Sequence, residues 1–285
     1  MARESIRRYS FFQSFLLVSP LLVLLVVFYL YPLLNLFPES VFGEGGLTLK
    51  HFHRFFSVPL YSRILIRTIR ISFIVTVICF GVGYPVAYFL AEIKNPKIAA
   101  GLLVCVLLPF WTSILVRTYA WVVLFQSRGL INSFLLRTHL VEKPVDLLYN
   151  EFAVIVGMVH VLLPFMILPI YSVLRNLDRS LIRAARNLGA TFFWTFIMVI
   201  FPLSLPGVGA GAMFVFILAL GFYITPAVLG GARTLMISTL IDQQINRLFN
   251  WDFAAAIAVV LLIVTIAMII VFNKVVGLER IYSER

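Results

Sequence analysis

Apolar residues run along this chain in long unbroken stretches, and the charged residues fall between them. A helix that crosses a bilayer needs about 20 consecutive, mostly apolar residues. Stretches of that kind cover about 14–36, 71–91, 98–125, 152–174, 197–222 and 253–273. Arg70 and Glu92 bound the second, Glu151 and Arg175 the fourth, and Asp252 and Lys274 the sixth; Arg117 lies inside the third. Lipid satisfies no backbone polar group, so only helices or closed barrels span it. Barrel strands alternate apolar and polar at every second position. These runs do not alternate, and the pattern predicts an all-α membrane protein with about six spans.

The uncharged stretch between Arg186 and Arg233 is too long for one span. It holds Pro202, Pro206, Gly207, Gly209, Gly211, Gly221, Pro226, Gly230 and Gly231. It divides into a short helix-turn at the membrane surface, a span over about 197–222, and a partly buried loop from Tyr223 to about Met236. Non-helical backbone at membrane depth survives only against protein or a water-filled cavity. The loop is therefore a candidate lining element.

Composition sharpens the class. The 285 residues are 62% hydrophobic and 12% charged, with mean hydropathy +1.03. A soluble domain carries about twice that charged fraction. One membrane domain over 1–285 results, with no second domain. The net charge of +11 comes from Lys and Arg scattered through loops and not from a dense patch. Retained cytoplasmic Lys and Arg explain it, and nucleic acid is not expected as a partner. Arg3, Arg7, Arg8, Lys94, Lys97, Arg175, Arg179, Arg183, Arg186, Lys274, Arg280 and Arg285 fall on one side in short segments, which places both termini in the cytoplasm. The uncharged run from Tyr9 to Pro38 is too long for a signal-peptide core, so a retained first span is expected. Cys79 and Cys105 sit inside apolar runs and have neither disulfide nor zinc spacing.

The segment between spans four and five is the most informative. Leu177, Leu181, Ala184, Ala185 and Leu188 recur at helical spacing, with basic residues opposite. Gly189 is placed to end that helix, and a second short helix starts near Thr191. By pattern alone this is either a docking knob or an amphipathic helix lying on lipid. The string Arg183-Ala184-Ala185-Arg186-Asn187-Leu188-Gly189-Ala190, followed by Phe196 and Pro202–Gly207, resembles the EAA loop of ABC-importer permeases. Ala184, Ala185, Gly189 and Ala190 match that pattern position by position. Arg183 stands where the pattern has glutamate, which puts the salt bridge of that glutamate in doubt; Asp178 is a candidate substitute. The resemblance implies a type I ABC-importer permease fold, with about 176–194 as a cytoplasmic coupling loop that docks into a partner ATPase. The coupling residues it implies are Asp178, Arg183, Ala184, Ala185, Arg186, Gly189 and Ala190.

Pro109–Trp121, Gly221–Ala227, and the run from Leu240 through Gln243, Gln244 and Asn250 to Trp251 are similar to permeases of spermidine/putrescine importers. That cluster also takes in importers of opines, aminophosphonates and other small solutes. The resemblance implies a polyamine solute and a multi-pass protein of the bacterial inner membrane. It implies a partner ATPase dimer that binds ATP and Mg, with no cofactor on this chain. It also implies a second, different permease and a periplasmic or lipid-anchored solute-binding protein.

Within the spans, Arg117 costs several kcal/mol unless water or a partner satisfies it. It is either an anchor bonded to oxygens of Thr112, Ser113, Thr118 or Tyr119, or a pathway residue. It would repel a polyamine, which favours the anchor. Trp121 and His160 are further intramembrane candidates, for packing or for the pathway. No Asp or Glu lies deep in a span. Phe216, Phe222, Tyr223 and Asp242 are the candidate pathway or gate residues, each aromatic equally able to be plain packing. His51, His53 and His139 make no metal site. There is no P-loop and no H-E-x-x-H, so no enzymatic chemistry is expected of this chain. A stand-alone secondary transporter would show paired broken helices. The sequence suggests one interrupted region, around 202–231.

Overall fold

A computed structural model describes residues 11–43, 46–231 and 234–276. Arg3, Arg7, Arg8, Arg280 and Arg285, on which the placement of the termini rests, lie outside the described residues, as does Arg233.

Helix α1 (Phe11–Leu25) continues through a π-helical turn (Val26–Leu30) into α2 (Tyr31–Val41). A short antiparallel hairpin, β1 (Phe42–Gly43) with β2 (Gly46–Leu47), leads to α3 (Lys50–Ser57). Helix α4 (Pro59–Glu92) starts with a proline in its first turn, where a missing N–H costs nothing. At 1.5 Å per residue it is roughly 50 Å long. Next come α5 (Pro96–Leu107), a 3₁₀ turn (Leu108–Trp111), α6 (Ile114–Phe125) and α7 (Leu130–Arg137). Then follow α8 (Glu151–Arg175), α9 (Arg179–Asn187) and α10 (Phe192–Thr195). A second π turn (Phe196–Ile200) joins α10 to α11 (Phe201–Leu220). Helices α12 (Ile224–Leu229), α13 (Ile237–Asn246) and α14 (Trp251–Val276) complete the order.

Among the described residues, five helical stretches are long and apolar enough to span a membrane: Phe15–Val41, Pro59–Glu92, Glu151–Arg175, Phe192–Leu220 and Trp251–Lys274. A sixth is the bent pair Pro96–Trp111 and Ile114–Arg137, with 93° between its halves. The apolar run at 98–125 is thus broken: Thr112 and Ser113 are extended between the 3₁₀ turn and α6. Each π turn is followed within two residues by a proline, Pro32 or Pro202. A proline has no N–H for the i→i−4 bond, and its ring crowds that carbonyl. One inserted residue in the ladder relieves both.

Helices α4, α8 and α11 form the centre, around Ile71, Cys79, Met158, Met166, Ile170 and Val215. Gly207 and Gly211 let α11 approach α8 closely. A Cβ on Gly207 would lie 2.8 Å from the Pro169 carbonyl oxygen, and one on Gly211 3.0 Å from Met166 Sδ. Small residues serve this purpose where lipid supplies no hydrophobic drive between helices. The prolines and glycines of 202–211 therefore sit inside a continuous helix, and the interruption begins only at Gly221. A second cluster, of Phe55, Tyr61, Ile64, Ile237, Leu240 and Phe253, ties α3 and the start of α4 to α13 and α14.

Candidate coupling site

Local chemistry sets both ends of α9. Asp178 caps its start, its carboxylate accepting from the Ser180 amide at 2.8 Å and the Ser180 hydroxyl at 2.6 Å. The hydroxyl first, then the amide, hold the Asp178 carboxyl below its usual range; Arg183 pulls the same way and partial desolvation opposes. At the other end the Ala190 amide donates to the Ala185 carbonyl at 3.1 Å, and the Gly189 amide to Arg186 at 3.0 Å. That pair of bonds is a Schellman cap, which needs a left-handed residue. Gly189 supplies it with φ +86°.

The cap geometry fixes which face of α9 is free. Ile182 and Ala185 turn inward, Ile182 against the central cluster. Leu181, Ala184 and Leu188 turn outward with Arg183 and Arg186, and Leu188 is 89% exposed. The apolar stripe read from the sequence is thus split, with Leu177 and Ala185 half-buried and Leu181, Ala184 and Leu188 exposed. Ala190 is half-buried. Helix α10 is not a separate surface helix but the first turn of span five; Phe192, Phe193 and Trp194 are exposed on it.

Three residues hold α9 in place: Arg175 and Glu92, which the sequence presents as span-bounding charges, and Arg179, which it presents as one of the cytoplasmic loop cations. Arg175 Nη1 donates to the carbonyls of Ala91 at 3.2 Å and Ile93 at 3.1 Å. Arg179 Nη2 donates to the Ala91 carbonyl at 3.1 Å, while its Nη1 pairs with Glu92 Oε1 at 2.5 Å. Both cations sit on the C-terminal carbonyls of α4, the negative end of its dipole, each worth about 0.3–1 kcal/mol. The ion pair is about two-fifths exposed on each side, so screening limits it to about 1 kcal/mol. A recess of about 360 Å³ lies beside this junction, lined by Glu92, Lys94, Arg175, Arg179, Ile182 and Arg183 among others.

The intramembrane candidates separate into two groups. Trp121 Nε1 donates to His160 Nδ1 at 3.0 Å, so that ring nitrogen carries no proton. Arg117 Nε and Nη1 are buried with no hydrogen-bond partner among the described residues. Two of its expected partners, Thr112 and Thr118, bond elsewhere. Thr118 donates to the Ile114 carbonyl and lies 3.3 Å from Thr225 Oγ1, Thr112 donates to Pro109, and Tyr119 is exposed.

Tyr223 and Asp242 come together near the far end of the molecule from α9. Desolvation, then the Asp242 carboxylate, push the Tyr223 phenol up. Asp242 also accepts from Asn246 Nδ2 at 2.6 Å. The Phe222 carbonyl accepts from Ser238 Oγ. Phe216 instead lines an apolar groove of about 370 Å³ between α4, α11 and α14. Among the described residues no group of three or more His, Cys, Asp or Glu could hold a metal ion.

Residues 83–277 match the family described as binding-protein-dependent transport system inner membrane component. The chain is 36% identical over 248 residues to the spermidine/putrescine transport system permease protein PotB of Escherichia coli (strain K12), covering 85% of this chain and 90% of that protein. It is also 36% identical over 266 residues to the protein of the same name from Haemophilus influenzae, covering 93% and 90%. A chain of a bacterial ABC transporter that imports the acidic polysaccharide alginate superposes with a TM-score of 0.75 at 17% identity, over 93% of this chain and 95% of that one.

Proposed function

We propose that this chain, which belongs to the family of binding-protein-dependent transport system inner membrane components, carries a polyamine such as spermidine or putrescine. It is the permease subunit of an ABC importer and a multi-pass protein of the bacterial inner membrane. The polyamine assignment rests on 36% identity to permeases named for spermidine and putrescine, sustained over most of both chains.

In this reading α9 lies on the cytoplasmic side with both termini, and a separate ATPase dimer docks there. The observation that carries it is a helix capped at both ends, pinned along one side, and bare on the other at Leu181, Ala184 and Leu188. ATP and Mg bind the ATPase. Its closure moves α9, the spans tilt, and the pathway opens outward to receive solute from a binding protein. One chain offers one α9 while an ATPase dimer has two docking clefts. A second, different permease then completes a pseudo-twofold pair, with half of the pathway on each chain. Arg183, in place of the glutamate of the EAA pattern, presents a cation to the ATPase, so an acidic ATPase surface is expected opposite it.

Labelled spermidine and putrescine uptake tests this in cells that lack their own polyamine importers. The cells express the chain with the ATPase, second permease and binding protein encoded beside it. Uptake that needs both this chain and an active ATPase is the expected result. An assembled complex whose binding protein ignores polyamines would overturn the solute and leave the importer. Opines and aminophosphonates would then be screened.

A further inference from the structure

Two arginines flank the junction between α8 and α9, and both reach the same carbonyl, that of Ala91. Arg175 also takes the Ile93 carbonyl, and Arg179 takes Glu92. The last turn of α4 is therefore held by both sides of the joint from which α9 starts. The other exit from α9 is looser. It passes through the left-handed Gly189, around which nothing lies within 4 Å of a Cβ position, and then through a π turn before α11 begins.

Helix α4 reaches the opposite end of the molecule without a break. There Arg70 Nη2 bonds both carboxylate oxygens of Glu151, the first residue of α8. Thr68 Oγ1 accepts from the Ile237 amide at 2.9 Å, at the start of α13. Tyr61 and Ile64 pack with Phe253 of α14. The same α13 carries Asp242, the partner of Tyr223. One helix thus grips the root of α9 at one end and the elements around the far mouth at the other.

We infer that Arg175, Arg179 and Glu92 are positioning residues forming the joint by which movement of α9 enters the membrane body, and that α4 is the rod that delivers it to the far side. This rests on the reading of α9 as the ATPase-docking helix. Movement travels in both directions along such a rod. A binding protein seated on the far mouth therefore changes ATP hydrolysis through the same joint.

The test uses the whole importer, with its ATPase, second permease and binding protein, in proteoliposomes. The readout is stimulation of ATP hydrolysis by the binding protein, with spermidine uptake measured alongside. Arg175→Ala combined with Arg179→Ala is expected to keep basal hydrolysis and assembly while the stimulation falls about tenfold, a size typical of a broken coupling contact. Glu92→Arg is expected to impair stimulation while basal hydrolysis and assembly hold, a split that a merely structural role would not give, and adding Arg179→Glu is expected to restore it. Wild-type stimulation in the double alanine variant overturns the joint. If that variant does not assemble, Glu92→Gln and the charge swap decide: unchanged stimulation in the first, with none recovered in the second, overturns it equally. A wild-type chain that binds no ATPase would instead remove the docking reading, whatever the variants do.

Discussion

Gly189 is the residue on which the outer face of α9 turns. Its φ of +86° is a conformation that costs an L-residue about 1–2 kcal/mol, and its Cβ position is open. Gly189→Glu therefore leaves the chain folded and inserted. It adds bulk and negative charge beside Leu188 and Arg186, on the bare face of α9 where the ATPase is proposed to dock. Uptake is expected to fall about tenfold or more, with normal amounts of the chain in the membrane; normal uptake would remove Gly189 from the docking face. Asp178 at the other end makes a pH prediction. Its carboxyl is depressed by Ser180, so the cap is fully present above the ordinary aspartate range. It is lost as pH falls through the lower, folded value. Exchange of the Ser180 and Leu181 amides, taken relative to the unprotected rate at each pH, should stay slow through neutral pH and speed up only below that range. Asp178→Ala should speed it at every pH, while Asp178→Asn, a comparable cap, should not.

At the scale of the helix, glycines divide by what a Cβ would meet. Gly81 has nothing within 4 Å, whereas Gly207 has the Pro169 carbonyl at 2.8 Å and Val173 at 3.0 Å. Gly81→Ala should be neutral or stabilising by up to about 1 kcal/mol. Gly207→Leu should cost about 1–3 kcal/mol or more by forcing α11 from α8. Thermal unfolding of the two variants in detergent checks the contrast, and equal midpoints would mean that α11 and α8 are not in contact. The same glycines mark where sequence reading stops. Hydropathy made the apolar helices legible, because lipid acts on each residue by itself. The end of α9 was legible too, since Gly189 acts within its own turn, whereas Asp178, read only as a substitute for the missing glutamate, proves to cap the start. Gly207 and Pro202 read as an interruption because a glycine for a loop and a glycine for close packing look alike until the partner helix is in place. The break at Thr112–Ser113 was hidden inside a run that, Arg117 apart, reads as one apolar span. The Arg179–Glu92 pair spans 87 positions, and no local pattern joins residues that far apart.

Across the whole molecule, stability and assembly lie in different places. The span window within Phe15–Val41 has none of its residues buried, and Leu21 and Leu24 are more than half exposed. Its α2 half reaches the body, where Leu33, Leu36 and Phe37 meet Ile241 and Leu262 across a shared recess. Lipid is as apolar as leucine, so burial against it gives the chain nothing that detergent or a bilayer does not already supply. Leu21→Ala should then shift the stability of the isolated chain by no more than about 0.5 kcal/mol. Phe253 is the counter-case. Fully buried, it stacks edge-on with Tyr61 at 5.0 Å and lies under the Arg54 guanidinium at 4.5 Å. Phe253→Ala should cost about 3–5 kcal/mol and loosen the cluster that fixes α3, α13 and α14 to α4. Unfolding midpoints of the two variants, taken on the chain alone, separate these cases. A large loss from Leu21→Ala would mean that α1 folds back on the body. The expected pair, one neutral and one severe, would mean that α1 takes no stability from the body at Leu21 and that this face is free for lipid or for the rest of the importer.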